Sequence, residues 1–142
     1  MKVSEVEITK LPKYGDQRGT LCVAEQLKEV PFEIKRCFWM YGVPEGKGRG
    51  GHAHKKLQQF VIPMSGSFEI TLDDGKEKKT FLLDRPDRGL LIDTGVWADL
   101  KNFSADAVCL VLASDVFKEE DYLGTREEFA EYLLQKEKGT DR

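Results

Sequence analysis

The sequence predicts an all-β fold closed by one C-terminal α-helix, and three observations carry that prediction. Short runs that alternate apolar and polar residues recur about every ten positions, turn-forming residues separate them, and helical spacing is confined to the end of the chain. An antiparallel sandwich or barrel is the architecture such a pattern implies. At 142 residues the chain fits a single domain spanning 1–142, long enough to bury roughly two thirds of its unfolded surface without disulfides or metal.

Taken in order, Val3 to Leu11 alternates well enough to be a strand, and Pro12-Lys13-Tyr14-Gly15-Asp16 closes it with turn chemistry. Asp16-Gln17-Arg18-Gly19 opens a second strand over Thr20 to Glu25, and Ile34 to Tyr41 forms a third, rich in aromatic residues that suit a pleated surface. Gly42 to Gly51 is a glycine-rich loop leading into a strand, whereas a phosphate-cradling loop leads into a helix. The next strand holds His52, His54 and Phe60, followed by Phe60 to Met64 and the strictly alternating Phe68 to Leu72. Asp73-Asp74-Gly75 is a hairpin signal returning through Glu77 to Leu83. Leu90 to Ile92, Val96 to Leu100 and Ala107 to Ala113 complete the series. The helix is expected over about 125–136, with Phe129, Tyr132 and Leu133 on one face and Thr125 and Glu128 as a capping box, and with 137–142 frayed.

Composition removes several function classes. A net charge of -3 offers no general attraction to nucleic acid or to an anionic membrane. No segment approaches the apolar length of a membrane span, and Met1 to Glu7 has no apolar leader core, so the cytoplasm is the expected compartment. Cys22, Cys37 and Cys109, an odd number in apolar runs, read as reduced core thiols.

The chemistry concentrates in Arg49-Gly50-Gly51-His52-Ala53-His54-Lys55-Lys56, which contains both histidines of the chain. Strand alternation puts His52, His54, Lys56, Gln58 and Phe60 on one side. A histidine pair of this spacing on a strand suggests a cupin, a double-stranded β-helix or jelly roll. The carboxylate and third imidazole that complete a cupin metal site are replaced by Gln58 or Gln59 and by Ala98. Two imidazoles alone make a poor divalent site, so no metal is expected. Imidazole titrates near neutrality, and cations beside it favour its neutral, base-competent form. A proton-transfer pair therefore outweighs a pair of merely packed histidines.

Asp16-Gln17-Arg18-Gly19, Pro31-Phe32-Glu33-Ile34-Lys35-Arg36, the histidine segment, Gly95-Val96-Trp97, Asn102-Phe103-Ser104 and Val111-Leu112-Ala113-Ser114 occur in an order that resembles the sugar-nucleotide 3,4-ketoisomerases. The resemblance runs to Glu120-Asp121-Tyr122. It implies a cupin fold, no cofactor, and conversion of a dTDP-4-keto-6-deoxyhexose to its 3-keto isomer through an enediol, in deoxyamino-sugar biosynthesis for a surface glycan such as lipopolysaccharide or for another glycosylated product. It also implies a homodimer exchanging an N-terminal strand. His52 and His54 would be the proton carriers, Arg36 and Arg49 the pyrophosphate forks, Lys56 an enediolate or phosphate partner, and Trp39, Tyr41 and Trp97 packing surfaces for sugar or thymine.

The chain departs from the family pattern at Phe38, at Ala98-Asp99 and at Phe117-Lys118. Two other readings stand beside ketoisomerisation: an epimerase on a related nucleotide 4-keto sugar, and a non-catalytic sugar-nucleotide-binding cupin.

Overall fold

A computed structural model describes residues 2–140, and two five-stranded sheets face each other in it. In chain order the strands are β1 (Thr9–Lys10), β2 (Lys13–Asp16), β3 (Gly19–Cys22), β4 (Arg36–Tyr41), β5 (Arg49–His54) and β6 (Gln59–Ser65). They continue with β7 (Phe68–Asp73), β8 (Lys78–Leu83), β9 (Arg88–Ile92), β10 (Trp97–Lys101), β11 (Val108–Ala113) and β12 (Tyr122–Leu123), before the helix α1 (Arg126–Thr140). One sheet runs β1-β9-β6-β11-β4 and the other β12-β5-β10-β7-β8, while β2 and β3 form a separate hairpin. Strands distant in sequence are neighbours in both sheets, the jelly-roll arrangement expected of a cupin.

Alternation builds the core between the sheets. Phe68, Ile70 and Leu72 of β7 are fully buried there, as are Leu83 of β8 and Leu90 of β9, while Thr71 turns away and meets Thr80 through a 2.8 Å hydroxyl contact. Burial of each large side chain contributes about 1.5–3 kcal/mol. The outer face of the first sheet carries a second cluster of Leu11, Val30, Phe32, Phe60 and Ile62. On the outer face of the second sheet, α1 covers Ala53, Trp97 and Leu123 with Phe129. Arg126 fastens this helix, its guanidinium 4.4 Å above the Trp97 ring and 2.6 Å from Asp73.

Several local expectations change. Val3–Glu5 is a single 3-10 turn and only Thr9–Lys10 of the first segment pairs, because Val3 and Val6 are drawn into the core cluster. Lys13–Asp16, expected as a turn, pairs with Gly19–Cys22 instead. The strand expected to run from His52 through Phe60 stops at His54. A bend at 55–56, followed by two residues outside any strand, flips the parity, so Phe60 and Gln58 do not share the histidine face. The capping box forms, Thr125 Oγ1 accepting from the Glu128 amide at 3.1 Å, but the helix continues through the positions read as frayed, to Thr140. Residues 141–142 lie outside the described residues. Of the cysteines only Cys109 is core, its thiol pushed up to about 12 by burial; Cys22 and Cys37 are exposed because their strands present those faces to solvent.

Candidate active site

The site begins with a pairing: His52 stands opposite Ala98, and Ala98 belongs to the core between the sheets. Directly opposed residues share a face, so His52 and, two residues on, His54 look into the sandwich while Ala53 looks out toward α1. Tyr122 stands opposite His54 in the short β12–β5 pair and joins them. The imidazole centroids are 4.9 Å apart with their planes at 87°, and the Tyr122 ring lies 4.8 Å from His52 and 5.6 Å from His54.

Arg49 reaches this face through an irregularity. Three positions before His52, it would point the other way in a regular strand. Between Ala98 and Asp99 the register shifts: Gly50 opposes Asp99 and Arg49 opposes the core residue Leu100, leaving Gly51 as the extra residue of a bulge. Gly50 and Gly51 have φ of 83° and 73°, a region that favours glycine. Arg49 thereby meets Met40, its Nε 3.3 Å from the sulfur.

From the facing sheet, β4 supplies Arg36 on the same side as Phe38 and Met40, which pack on the core. Its guanidinium lies 5.2 Å from the Phe38 ring centroid and 5.9 Å from that of Phe117, and its Nε is buried with no hydrogen-bond partner among the described residues. A cavity of about 300 Å³ brings Arg36, His54 and Lys56 together with Phe117 and Asp121. Asp121 fixes the chain just past His54, its two carboxylate oxygens accepting from the Lys56 and Leu57 amides at 2.8 and 3.0 Å.

Trp39, Tyr41 and Trp97 do not face the histidines. Alternation places Trp39 and Tyr41 on the outer side of β4, 59% and 72% exposed, beside a separate depression of about 440 Å³ that Arg49 also lines. Trp97, 5% exposed, is under α1, its indole N–H donating to Asp99 at 3.2 Å. Sequence reasoning gave no role to Tyr122, Asp121 or Phe117. A two-residue strand has no periodicity to announce it, and only the closeness of Glu120-Asp121-Tyr122 to the family pattern marked the segment.

Among the described residues, no three of His, Cys, Asp and Glu stand together as a group able to hold a metal ion. Gln58 turns away to donate to Asp93 at 3.1 Å. Both imidazoles are held toward their neutral form. Burial is the main cause for His52, with Arg49 acting in the same direction and the Gly50 carbonyl and Asp99 opposing. For His54, burial first, then His52 and Arg36, outweigh Asp121 and lower its pKa from 6.5 to about 4. Burial therefore does more than the neighbouring cations. His52 Nδ1 is itself buried and has no well-aligned hydrogen-bond partner.

The pH consequences follow from that direction. Below 6.5 the unfolded chain binds protons that the native imidazoles refuse, so their contribution to stability is full above 6.5 and is lost as pH falls toward about 4. A neutral imidazole acting as base gives kcat/KM an acid limb set by the free enzyme. That limb is expected below 6.5, extending toward about 4 where His54 is the base. A pH–rate profile whose acid limb lies at or above 6.5 would contradict both.

Residues 4–134 match the family described as FdtA: WxcM-like, C-terminal. The chain is 38% identical over 129 residues, 91% of its own length and 93% of the relative's, to the TDP-4-oxo-6-deoxy-alpha-D-glucose-3,4-oxoisomerase of Aneurinibacillus thermoaerophilus. Among solved structures, a 3,4-ketoisomerase from Helicobacter canadensis superposes with a TM-score of 0.86 at 43% identity, covering 90% of this chain and 96% of that one. The sugar 3,4-ketoisomerase QdtA from Thermoanaerobacterium thermosaccharolyticum, solved in complex with TDP, superposes at 0.89 with 32% identity, covering 95% and 98%.

Proposed function

Because the chain belongs to the FdtA family, we propose that it is an isomerase that moves the ketone of a TDP-linked 4-keto-6-deoxyhexose from C4 to C3. The observation that carries this is the pair of inward-facing imidazoles 4.9 Å apart, both biased toward the neutral form and set beside Arg36. The isomerisation needs no net oxidant. One neutral imidazole takes the C3 proton, the C–H electron pair forms the C3=C4 bond of the enediol, and the C4 oxygen gains a proton. The enediol then collapses in the opposite sense: C4 receives a proton and the C3 oxygen gives one up. Two neighbouring proton carriers suit four proton movements on adjacent atoms.

Arg36, held between two aromatic rings with its Nε unpartnered, is the proposed diphosphate partner nearest the histidines; Lys56 lines the same cavity and serves the enediolate or phosphate. Arg49, on the histidine side at the barrel rim, is assigned to binding. Arg49→Ala is expected to raise KM about tenfold or more with a smaller change in kcat; steady-state kinetics showing a normal KM would remove it from substrate recognition.

Incubation of the full chain with TDP-4-keto-6-deoxyglucose in deuterated water, followed by NMR, tests the assignment. A new 3-keto sugar carrying deuterium at C4 is expected, with exchange at C3 of the remaining substrate through the reverse step, and neither exchange nor conversion would sink it. Changed stereochemistry without ketone migration would favour the epimerase reading, and tight TDP binding without turnover the non-catalytic one.

The same proposal extends to context. The 3-ketone is the functional group an aminotransferase consumes, so the proposed role lies in deoxyamino-sugar synthesis, and the proposal takes the chain as a cytoplasmic single domain over 1–142. A homodimer is supported by the β2–β3 hairpin, exposed along its whole length with Tyr14 and Leu21 uncovered, and by Trp39 and Tyr41 on the outer face of β4. β1 pairs with β9 of its own chain, so this hairpin is the N-terminal element free for exchange. Light scattering distinguishes the 16.2 kDa chain from its dimer, and a monomer would end this part of the proposal.

A further inference from the structure

We propose that Tyr122 is a positioning residue for the proton-transfer pair, its ring fixing the plane of the His52 imidazole where a hydrogen bond ordinarily does so. A base histidine is usually oriented by its second ring nitrogen, bonded to a carbonyl or carboxylate. His52 has that device only in a weak form: the Gly50 carbonyl acts on the ring, yet the buried Nδ1 has no well-aligned hydrogen-bond partner among the described residues. Packing must then do most of the work of setting its plane. Ala98, directly across the strand pair, is too small to hold a ring. Two aromatic rings pack against His52: His54 edge-on at 4.9 Å and 87°, and Tyr122 at 4.8 Å and 34°, close to an offset stack. Tyr122 also meets His54 at 5.6 Å and 74°, so one ring touches both proton carriers.

Tyr122 is placed well enough to do this. It opposes His54 in β12, and Asp121 just before it ties the segment to the chain after His54 through its carbonyl, bonded to the Lys55 amide at 3.0 Å, and through its carboxylate. Leu123 just after it is buried under α1 with Phe129. The helix therefore has a role in the site: it pins β12, and β12 presents Tyr122 to the histidines. The charged groups acting on the imidazoles are Arg49 and Asp99 for His52, and Arg36 and Asp121 for His54.

The proposal rests on the ketoisomerase reading for its kinetics but not for its spectroscopy. Because the chain has only two histidines, both imidazoles can be followed by NMR in the full chain. In the wild type, the carbon-bound ring protons of His52 are expected upfield of their unfolded positions, shifted by the Tyr122 ring current; their absence from that region overturns the proposal whatever any variant does. Tyr122→Leu is expected to lower kcat about tenfold at nearly constant KM, to move the acid limb of the rate profile toward the ordinary histidine value, and to abolish the upfield shift. Tyr122→Phe keeps the ring and should restore most of the lost kcat and the shift. Equal damage in Phe and Leu would make the phenol hydroxyl the working group and overturn a positioning role, as would a Leu variant with unchanged kcat and imidazole signals. Failure of the wild type to isomerise any TDP-keto sugar sinks the ketoisomerase reading instead, and leaves the NMR outcomes to decide the role of Tyr122.

Discussion

His52→Asn and His54→Asn are each expected to lower kcat by roughly 10²- to 10⁴-fold, the range that positioned proton transfer contributes, while TDP affinity stays nearly at its wild-type value. Asparagine keeps a planar polar group of similar reach but cannot take a proton near neutrality. Neither ring is the proposed diphosphate partner, so binding falls to Arg36, Arg49 and Lys56. The double variant should be little worse than the more damaged single one, because residues acting as a unit are strongly non-additive. Steady-state rates together with a TDP titration check this. Wild-type turnover in either single variant would remove that histidine from the mechanism, and a parallel loss of TDP affinity would mean that the ring shapes the pocket rather than moving protons.

The two imidazoles should not be equivalent in pH behaviour. His54 lines the cavity with Arg36 and is pulled down to about 4, whereas His52 sits against Tyr122 and has the Gly50 carbonyl and Asp99 favouring its protonated form. Deleting His54 removes a neighbour that packs edge-on against His52; deleting His52 removes one of the causes that lower His54. The acid limb of whichever single variant retains measurable turnover therefore belongs to the surviving ring.

Much of this was legible because alternation in a strand is governed by geometry. The Phe68 to Leu72 run, its Asp-Asp-Gly hairpin and the shared face of His52 and His54 follow from a period of two and turn chemistry. Alternation does not say which face of a strand is covered. Trp39 and Tyr41 share a face with each other, as alternation requires, but it is the outer one, and Trp97 faces a helix that lies 29 residues further along the chain. Periodicity also fails wherever the chain gains or loses one residue. The break at 55–58, with its bend at 55–56, turned Phe60 away from the histidines, and the bulge at Gly50-Gly51 turned Arg49 toward them. Tyr122 reaches the site through long-range pairing that local sequence does not encode.

That bulge carries the second large effect. Gly50→Ala is expected to destabilise the protein by about 1–3 kcal/mol and to lower kcat by about 10²-fold. The added Cβ would lie 2.8 Å from the Ala98 carbonyl oxygen and 3.2 Å from Leu100 Cδ1, at a residue whose φ is 83°. A backbone oxygen cannot swing aside as a side chain can, so β5 and β10 must separate, and Ala98 is the residue that His52 opposes. Relief of the clash moves His52 and Arg49 relative to each other, which affects the proton carrier and the proposed anion fork together; KM should rise as kcat falls. Gly46→Ala separates this from strain alone. Gly46 has a similar φ of 79° but open space where its Cβ would go, so it should lose only the part of the stability that comes from strain and keep its turnover. Thermal melts and kinetics on the two variants decide the matter. If Gly50→Ala melts lower than wild type yet isomerises at the wild-type rate, the bulge is a feature of the fold alone; if only Gly50→Ala loses turnover, the extra residue at Gly51 is what brings an arginine and a histidine three positions apart onto the same side of a strand.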